Sequence, residues 1–238
     1  KIVYFGDTAR VPYGSKSKET VIRYSRQIIR FLQEQQVKAI VIACNTASAF
    51  ALDAVRDEFD LPIIGVIEPG AKVAAAQTRN KKLGVIGTVG TIGTGIHAEY
   101  LKSLDPEITV YGKACPLFVP LVEEGWLHDP VTDEVEARYL KELQEKDIDT
   151  LILGCTHYPL LRSTIRKIMG DQVCLVNPAY ETALELGRLL KEKELSGTGT
   201  VQADFPYRFY VSDLADEFKA FANSILPYDV EMTKKIDI

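Results

Sequence analysis

Thr150-Leu-Ile-Leu-Gly-Cys155-Thr156-His157-Tyr158-Pro159-Leu-Leu161 is an apolar run of strand length that ends on a cysteine and leads straight into a helix start. Ala39-Ile-Val-Ile-Ala-Cys44-Asn45-Thr46-Ala47 has the same arrangement earlier in the chain. Short apolar runs followed by small polar residues and then by helical apolar spacing predict buried strands of a parallel sheet. Each run is expected to be a strand with a cysteine at its carboxyl end, where open α/β sheets place their ligands. Each cysteine also stands at a helix N-terminus, where free amides and the helix dipole are expected to stabilise a thiolate and lower the thiol pKa.

Outward from these two stretches the pattern alternates strand and helix. Ile2 to Phe5 reads as a strand, Gly6 to Gly14 as the loop after it, and Thr20 to Gln35 as a helix with one buried face. A helix from Ala47 to Phe59 and a strand from Leu61 to Ile67 follow. Glu68-Pro69-Gly70 is expected to break the pattern before a short helix from Ala71 to Thr78. Leu83 to Ile86 opens a new strand and helix unit, with the glycine- and threonine-rich loop Gly87 to Gly95 between strand and helix (His97 to Leu104).

A strand at Ile108 to Tyr111, an apolar segment from Cys115 to Trp126 with two prolines, and a helix capped by Asp129-Pro130 come next. Beyond Cys155 the chain predicts a helix from Pro159 stopped at Gly170, a strand at Val173 to Val176 and a helix from Glu181 to Lys193. Ser196-Gly-Thr-Gly-Thr200 reads as a surface loop before a last strand (Arg208 to Val211) and helix (Asp213 to Leu226). End-to-end alternation means α/β with mainly parallel sheets.

The composition is that of a globular protein: 238 residues, 46% hydrophobic and 26% charged. A net charge of -5 without a basic cluster argues against nucleic acid as a partner. No apolar run approaches the about 18 residues of a membrane span. Four scattered cysteines fit a reducing compartment, so cytoplasm is the expected location. They are too scattered for a Cys-x-x-Cys metal site, and no metal is expected. The chain opens on Lys1 directly at a strand, which reads as a piece of a longer protein.

A single cysteine after a strand is ordinarily a small buried hydrophobe. Two in matched settings point instead to paired chemistry, although Asn45-Thr46 and Thr156-His157 could be helix caps alone. His157 is placed to hold the Cys155 thiol or hand it a proton. Cys115 and Cys174 read as inert core thiols, and His97 and His128 as solvated or capping side chains. Glu123 and Glu124 either end a helix or face a cleft, and the sequence does not choose between them. Gly93-Thr-Gly95-Ile-His-Ala98 matches a dinucleotide fingerprint but lacks the acidic residue that would hold a ribose. A catalyst with two bases and a non-catalytic amino-acid binder both remain open on the residues alone.

Gly6-Asp-Thr-Ala-Arg-Val-Pro-Tyr-Gly14, Ala43-Cys-Asn-Thr-Ala47 and Gly154-Cys-Thr-His-Tyr-Pro-Leu-Leu161 together resemble the bacterial glutamate racemases of the aspartate/glutamate racemase superfamily. The resemblance covers essentially the whole chain, and the Pro-Tyr-Gly loop favours glutamate over aspartate. It implies two similar α/β domains, residues 1–67 with 178–238 and residues 68–177, with hinges at Glu68-Pro69 and Asn177-Pro178 and the active site in the cleft between them. It further implies a cofactor-independent racemase supplying D-glutamate for peptidoglycan and acting as a homodimer. Cys44 and Cys155 would be the two bases, assisted by His157 and Glu123. Tyr13, Gly14, Asn45, Thr46, Thr88, Thr91, Thr156 and His157 would hold the substrate. The Asp-Ser-Gly segment that the family carries after its first strand is not found between Lys1 and Ile238.

Overall fold

A computed structural model describes residues 1–197, 207–230 and 232–238. The elements run β1 (Ile2–Gly6), α1 (Lys18–Glu34), β2 (Ile40–Ile42), α2 (Asn45–Val55), β3 (Ile63–Gly65), α3 (Ile67–Gln77), β4 (Lys82–Gly87), α4 (Val89–Gly93) and α5 (Ile96–Leu104). They continue with β5 (Thr109–Ala114), α6 (Phe118–Glu123), α7 (Pro130–Gln144), β6 (Thr150–Gly154), α8 (Arg162–Met169), β7 (Cys174–Val176), α9 (Pro178–Glu192), β8 (Tyr207–Val211), α10 (Ala215–Ile225) and β9 (Thr233–Lys235). Single 3-10 turns stand at Tyr13–Ser15 and Tyr158–Leu161. The expected loop at Ser196 to Thr200 lies in part outside the described residues.

Strands order as β1-β8-β9, β2-β3 and β5-β4-β6-β7, and every pair is parallel. Parallel neighbours need a crossover, and the intervening helices supply it while covering the sheet faces. This is why Leu83, Val85, Ile86, Leu151, Ile152 and Leu153 are all fully buried rather than alternating. The side chains of β4 and β6 divide between two clusters. One gathers Ile86, Leu151 and Leu153 with Phe118, Leu140, Tyr158 and Leu161, and the other gathers Leu83, Val85 and Ile152 with Ala74 and Leu101. A large apolar side chain buried this way stabilises the fold by roughly 1.5–3 kcal/mol. A third cluster of Ile29, Ile40, Ala51, Leu52, Val55 and Ile63 seats α1 and α2 on β2 and β3.

Several expectations are corrected. Strand β2 stops at Ile42, so Cys44 is not its last residue but the N-cap of α2. Cys155 likewise follows β6, which ends at Gly154. Glu68-Pro69-Gly70 does not break the chain: α3 starts at Ile67 and runs through it. Pro69 falls in the first helical turn, whose amides have no partner within the helix, so its missing N–H costs nothing there. Pro120 occupies the same position in α6. The Gly87 to Gly95 loop contains α4, and β9 was not foreseen. His97, read as solvated or capping, is 4% exposed, and burial drops its pKa to about 4. Cys174 is half-buried at the start of β7 and donates to Gln77 Oε1 at 2.7 Å, whereas Cys115 is a core thiol as expected.

Candidate active site

The turn from strand end to helix start gives each cysteine a nest of donors. Cys44 Sγ accepts from the Ala47 amide at 3.5 Å, and the Thr46 amide and hydroxyl also face it. Cys155 is set alike, facing the His157 and Tyr158 amides and the Thr156 hydroxyl. Successive amides after a turn converge on one point, which suits a negative charge. A thiolate at Cys44 would raise the Cys155 pKa further.

The expected depression of the thiol pKa values is overturned. Burial is the larger influence at both sites: it raises Cys44 above the usual thiol range and pushes Cys155 up to about 12. The facing amides and hydroxyls work in the opposite direction and offset only part of it. Both groups are therefore neutral thiols at pH 7. A sulfur deprotonated in such surroundings is a stronger base than an ordinary thiolate.

His157 and Glu123 come together beside Cys155. His157 Nε2 lies 3.2 Å from Glu123 Oε1, while Nδ1 lies 3.2 Å from Thr156 Oγ1 and 3.9 Å from Cys155 Sγ. An ionised carboxylate only accepts, so Nε2 carries the proton and Nδ1 presents its lone pair to the hydroxyl and the thiol. Thiol, imidazole and carboxylate thus stand in succession, Cys155 next to His157 and His157 next to Glu123. Glu123 is the carboxylate of its pair that turns to the site.

Thr46, Thr88 and Thr91 form a hydroxyl triangle with edges of 2.9, 3.0 and 3.0 Å. Thr88 caps α4 through the Thr91 amide, so the triangle joins the starts of α2 and α4. Gly14 closes against it: a Cβ built there would lie 2.6 Å from Thr88 Cβ, so only glycine fits this approach. Asn45 is 4% exposed and its Oδ1 is buried without a donor among the described residues. A buried acceptor in this condition suits a ligand N–H. Tyr13 packs with Ala47 and Cys44. Its hydroxyl is committed to Asp7 in a short hydrogen bond, which leaves the Tyr13 main chain and Gly14 as the parts able to face a ligand.

Asp7 is the residue that sequence reasoning missed, having been read only as part of a loop. The available signal was its place directly after a strand, with Arg10 one helical turn ahead. A cavity of about 240 Å³ bordered by Leu143, Ile148, Met169 and Val173 lies at the amino end of β6 and β7, opposite the thiols. Among the described residues no cluster of His, Cys, Asp or Glu could hold a metal ion, and no helix is long and apolar enough to cross a membrane.

The model of the Asp/Glu/Hydantoin racemase family matches residues 1–183. The chain belongs to that family. Among relatives of this racemase, the glutamate racemase of Geobacter metallireducens is 48% identical over 224 residues, which are 94% of this chain and 82% of the relative. A solved glutamate racemase from Francisella tularensis, in complex with D-glutamate, matches with a TM-score of 0.91 at 37% identity, covering 99% of this chain and 87% of its own. A glutamate racemase isoform from Bacillus anthracis gives a TM-score of 0.91 at 38% identity with the same coverage. The expected architecture, a two-domain α/β fold with mainly parallel sheets, and the expected enzyme class, an isomerase, both stand.

Proposed function

We propose that the protein interconverts L- and D-glutamate without a cofactor, using Cys44 and Cys155 as two bases on opposite faces of the substrate α-carbon. The observation that carries this reading is the pair of buried thiols, each following a strand end and nested among the amides and hydroxyls of the turn after it. In one direction a Cys155 thiolate takes the α-proton of L-glutamate: the Cα–H bond breaks and an S–H bond forms. The Cys44 thiol then gives its proton to the other face, so a new Cα–H bond forms and the electron pair of Cys44 S–H remains as thiolate. The reverse direction starts from D-glutamate at Cys44.

The turnover leaves Cys155 protonated and Cys44 as thiolate; to reset the site, His157, oriented by Glu123, would take the Cys155 proton and pass it to solvent, and Cys44 would regain a proton from solvent. Asn45 Oδ1 would accept from the substrate ammonium. The amides at the start of α2 and the hydroxyls of Thr46, Thr88, Thr91 and Thr156, with Tyr13 and Gly14, would hold the carboxylates. Charge that develops at the α-carbon is stabilised by these fixed dipoles, which need not reorganise during the reaction.

The proposed domains are 1–67 with 178–238, and 68–177. Gly70 lies directly against Pro178, which brings the two crossings side by side as a hinge requires. D-Glutamate for peptidoglycan, a cytoplasmic setting and a homodimeric assembly complete the proposal. Replacing Cys44 or Cys155 by serine should each abolish racemisation in both directions, since a racemase has an equilibrium constant of one and cannot lose a single direction of kcat/KM. Activity surviving either replacement refutes the two-base scheme. The family description also names aspartate and hydantoin substrates, and comparing kcat/KM across these compounds identifies the preferred one.

A further inference from the structure

We propose that Asp7 is a positioning residue for this reaction: its carboxylate, gripped by Arg10 and Ser212, anchors Tyr13 and so seats Gly14 against Thr88. The inference rests on the racemase reading above. Asp7 follows β1 and is 8% exposed. Its Oδ1 accepts from Arg10 Nε at 2.8 Å and from Ser212 Oγ at 2.9 Å, while Oδ2 accepts from Arg10 Nε at 2.8 Å and from the Tyr13 hydroxyl. Ser212, just past β8, also accepts from the Ala9 amide at 2.9 Å, so the anchor ties two distant parts of the chain.

Arg10 is itself fixed. Its Nη1 donates to Gln27 Oε1 at 2.6 Å on α1, and its guanidinium lies 4.1 Å from the centre of the Tyr24 ring. A buried carboxylate with a charged partner and two hydroxyl donors is stiff, because losing any one donor leaves desolvated charge.

A plain turn-closing role does not account for this carboxylate. The turn is already closed by backbone, with the Arg10 and Val11 amides donating to the Asp7 carbonyl at 3.0 and 3.2 Å. All the side-chain bonds of Asp7 go instead to other side chains. The Tyr13 ring that it holds lies in the cluster of Ala47 and Cys44. One residue later the chain has no slack, since a Cβ on Gly14 would overlap Thr88 and the Gly14 carbonyl oxygen would lie 3.0 Å from a Cβ on Gly90. A shift of Tyr13 is therefore transmitted to the contact between the two halves of the site.

The test compares Asp7→Asn, Tyr13→Phe and the double variant in steady-state glutamate racemisation, with hydrogen exchange of residues 11–16 measured on the same proteins. Each single variant should raise KM for both enantiomers roughly tenfold, the size expected for a lost charge-assisted hydrogen bond, while kcat stays nearly unchanged. The double variant should be no worse than the poorer single one, because the two changes break one link. Exchange across residues 11–16 should quicken in all three. Additive losses, a fall in kcat at constant KM, or a lowered melting temperature with unchanged KM and exchange would each overturn the proposal. If Asp7→Asn does not fold, Tyr13→Phe alone decides. If the wild-type protein does not racemise glutamate, the reaction fails, and exchange that stays unchanged in the variants separately refutes the anchor.

Discussion

His157 faces two ways, toward the Glu123 carboxylate at Nε2 and toward Thr156 and the Cys155 thiol at Nδ1. Because Nε2 must donate, Glu123 fixes which nitrogen is free for proton transfer. Replacing His157 by asparagine should lower kcat by about 10²-fold or more, the usual contribution of a positioned acid or base. Glu123→Gln should act in the same direction but more weakly, since the side chain is half exposed and water can replace part of its role; stopped assays of both enantiomers measure each. Burial of the thiols gives a second expectation. Only thiolate reacts with iodoacetamide, so labelling of Cys155 should be slow at pH 7 and still be rising steeply past pH 10, whereas an ordinary thiol, with a pKa of about 8.5, is levelling off by about pH 10. Mass spectrometry of the Cys155 peptide reads this directly. The chain shows that Cys155 begins a helical turn; it does not show how much apolar packing surrounds the sulfur. That is why the residue was legible and its pKa was not.

Helix α7 illustrates the same limit for an element. Its buried face is Thr132, Glu136, Leu140 and Leu143, so a glutamate occupies an apolar stripe. Neither Glu136 oxygen has a partner among the described residues, and desolvation, with Asp133 nearby, raises its pKa to about 8. The unfolded chain loses this proton near pH 4.5, while the folded protein holds it to about pH 8. Stability is thus intact below pH 4.5, falls between these values and stays reduced above them, by a few kcal/mol. Glu136→Gln should raise Tm relative to wild type at pH 8.5, with the difference shrinking toward pH 4.5; no difference at pH 8.5 would refute the assignment. The Asp129-Pro130 cap predicted α7 correctly because a cap is local. Sequence reasoning missed the starts of α3 and α6 because proline was taken as a breaker, although in a first turn it breaks nothing.

At the scale of the molecule, the proposed function depends on how the starts of α2 and α4 and the Tyr13–Ser15 turn meet. Thr46, Thr88 and Thr91 join two sheets through hydroxyls, and Gly14 is the contact without spare volume. Gly14→Ala should therefore lower kcat/KM at least about tenfold, with a smaller loss of stability than a core substitution would cause, because it separates the halves without emptying a core. The parallel architecture was readable from two apolar runs and the helices between them. The meeting of distant residues was not, since it depends on crossovers that bring Asp7 to Ser212 and Thr46 to Thr88.

The central claim, two sulfurs acting on opposite faces of one carbon, is tested most directly by racemisation in D₂O. Starting from L-glutamate, the account predicts that D-glutamate formed in the first turnovers carries solvent deuterium at Cα while the remaining L-glutamate keeps its hydrogen. Deuterium appearing first in the recovered L-glutamate, or hydrogen retained in the product, would contradict it.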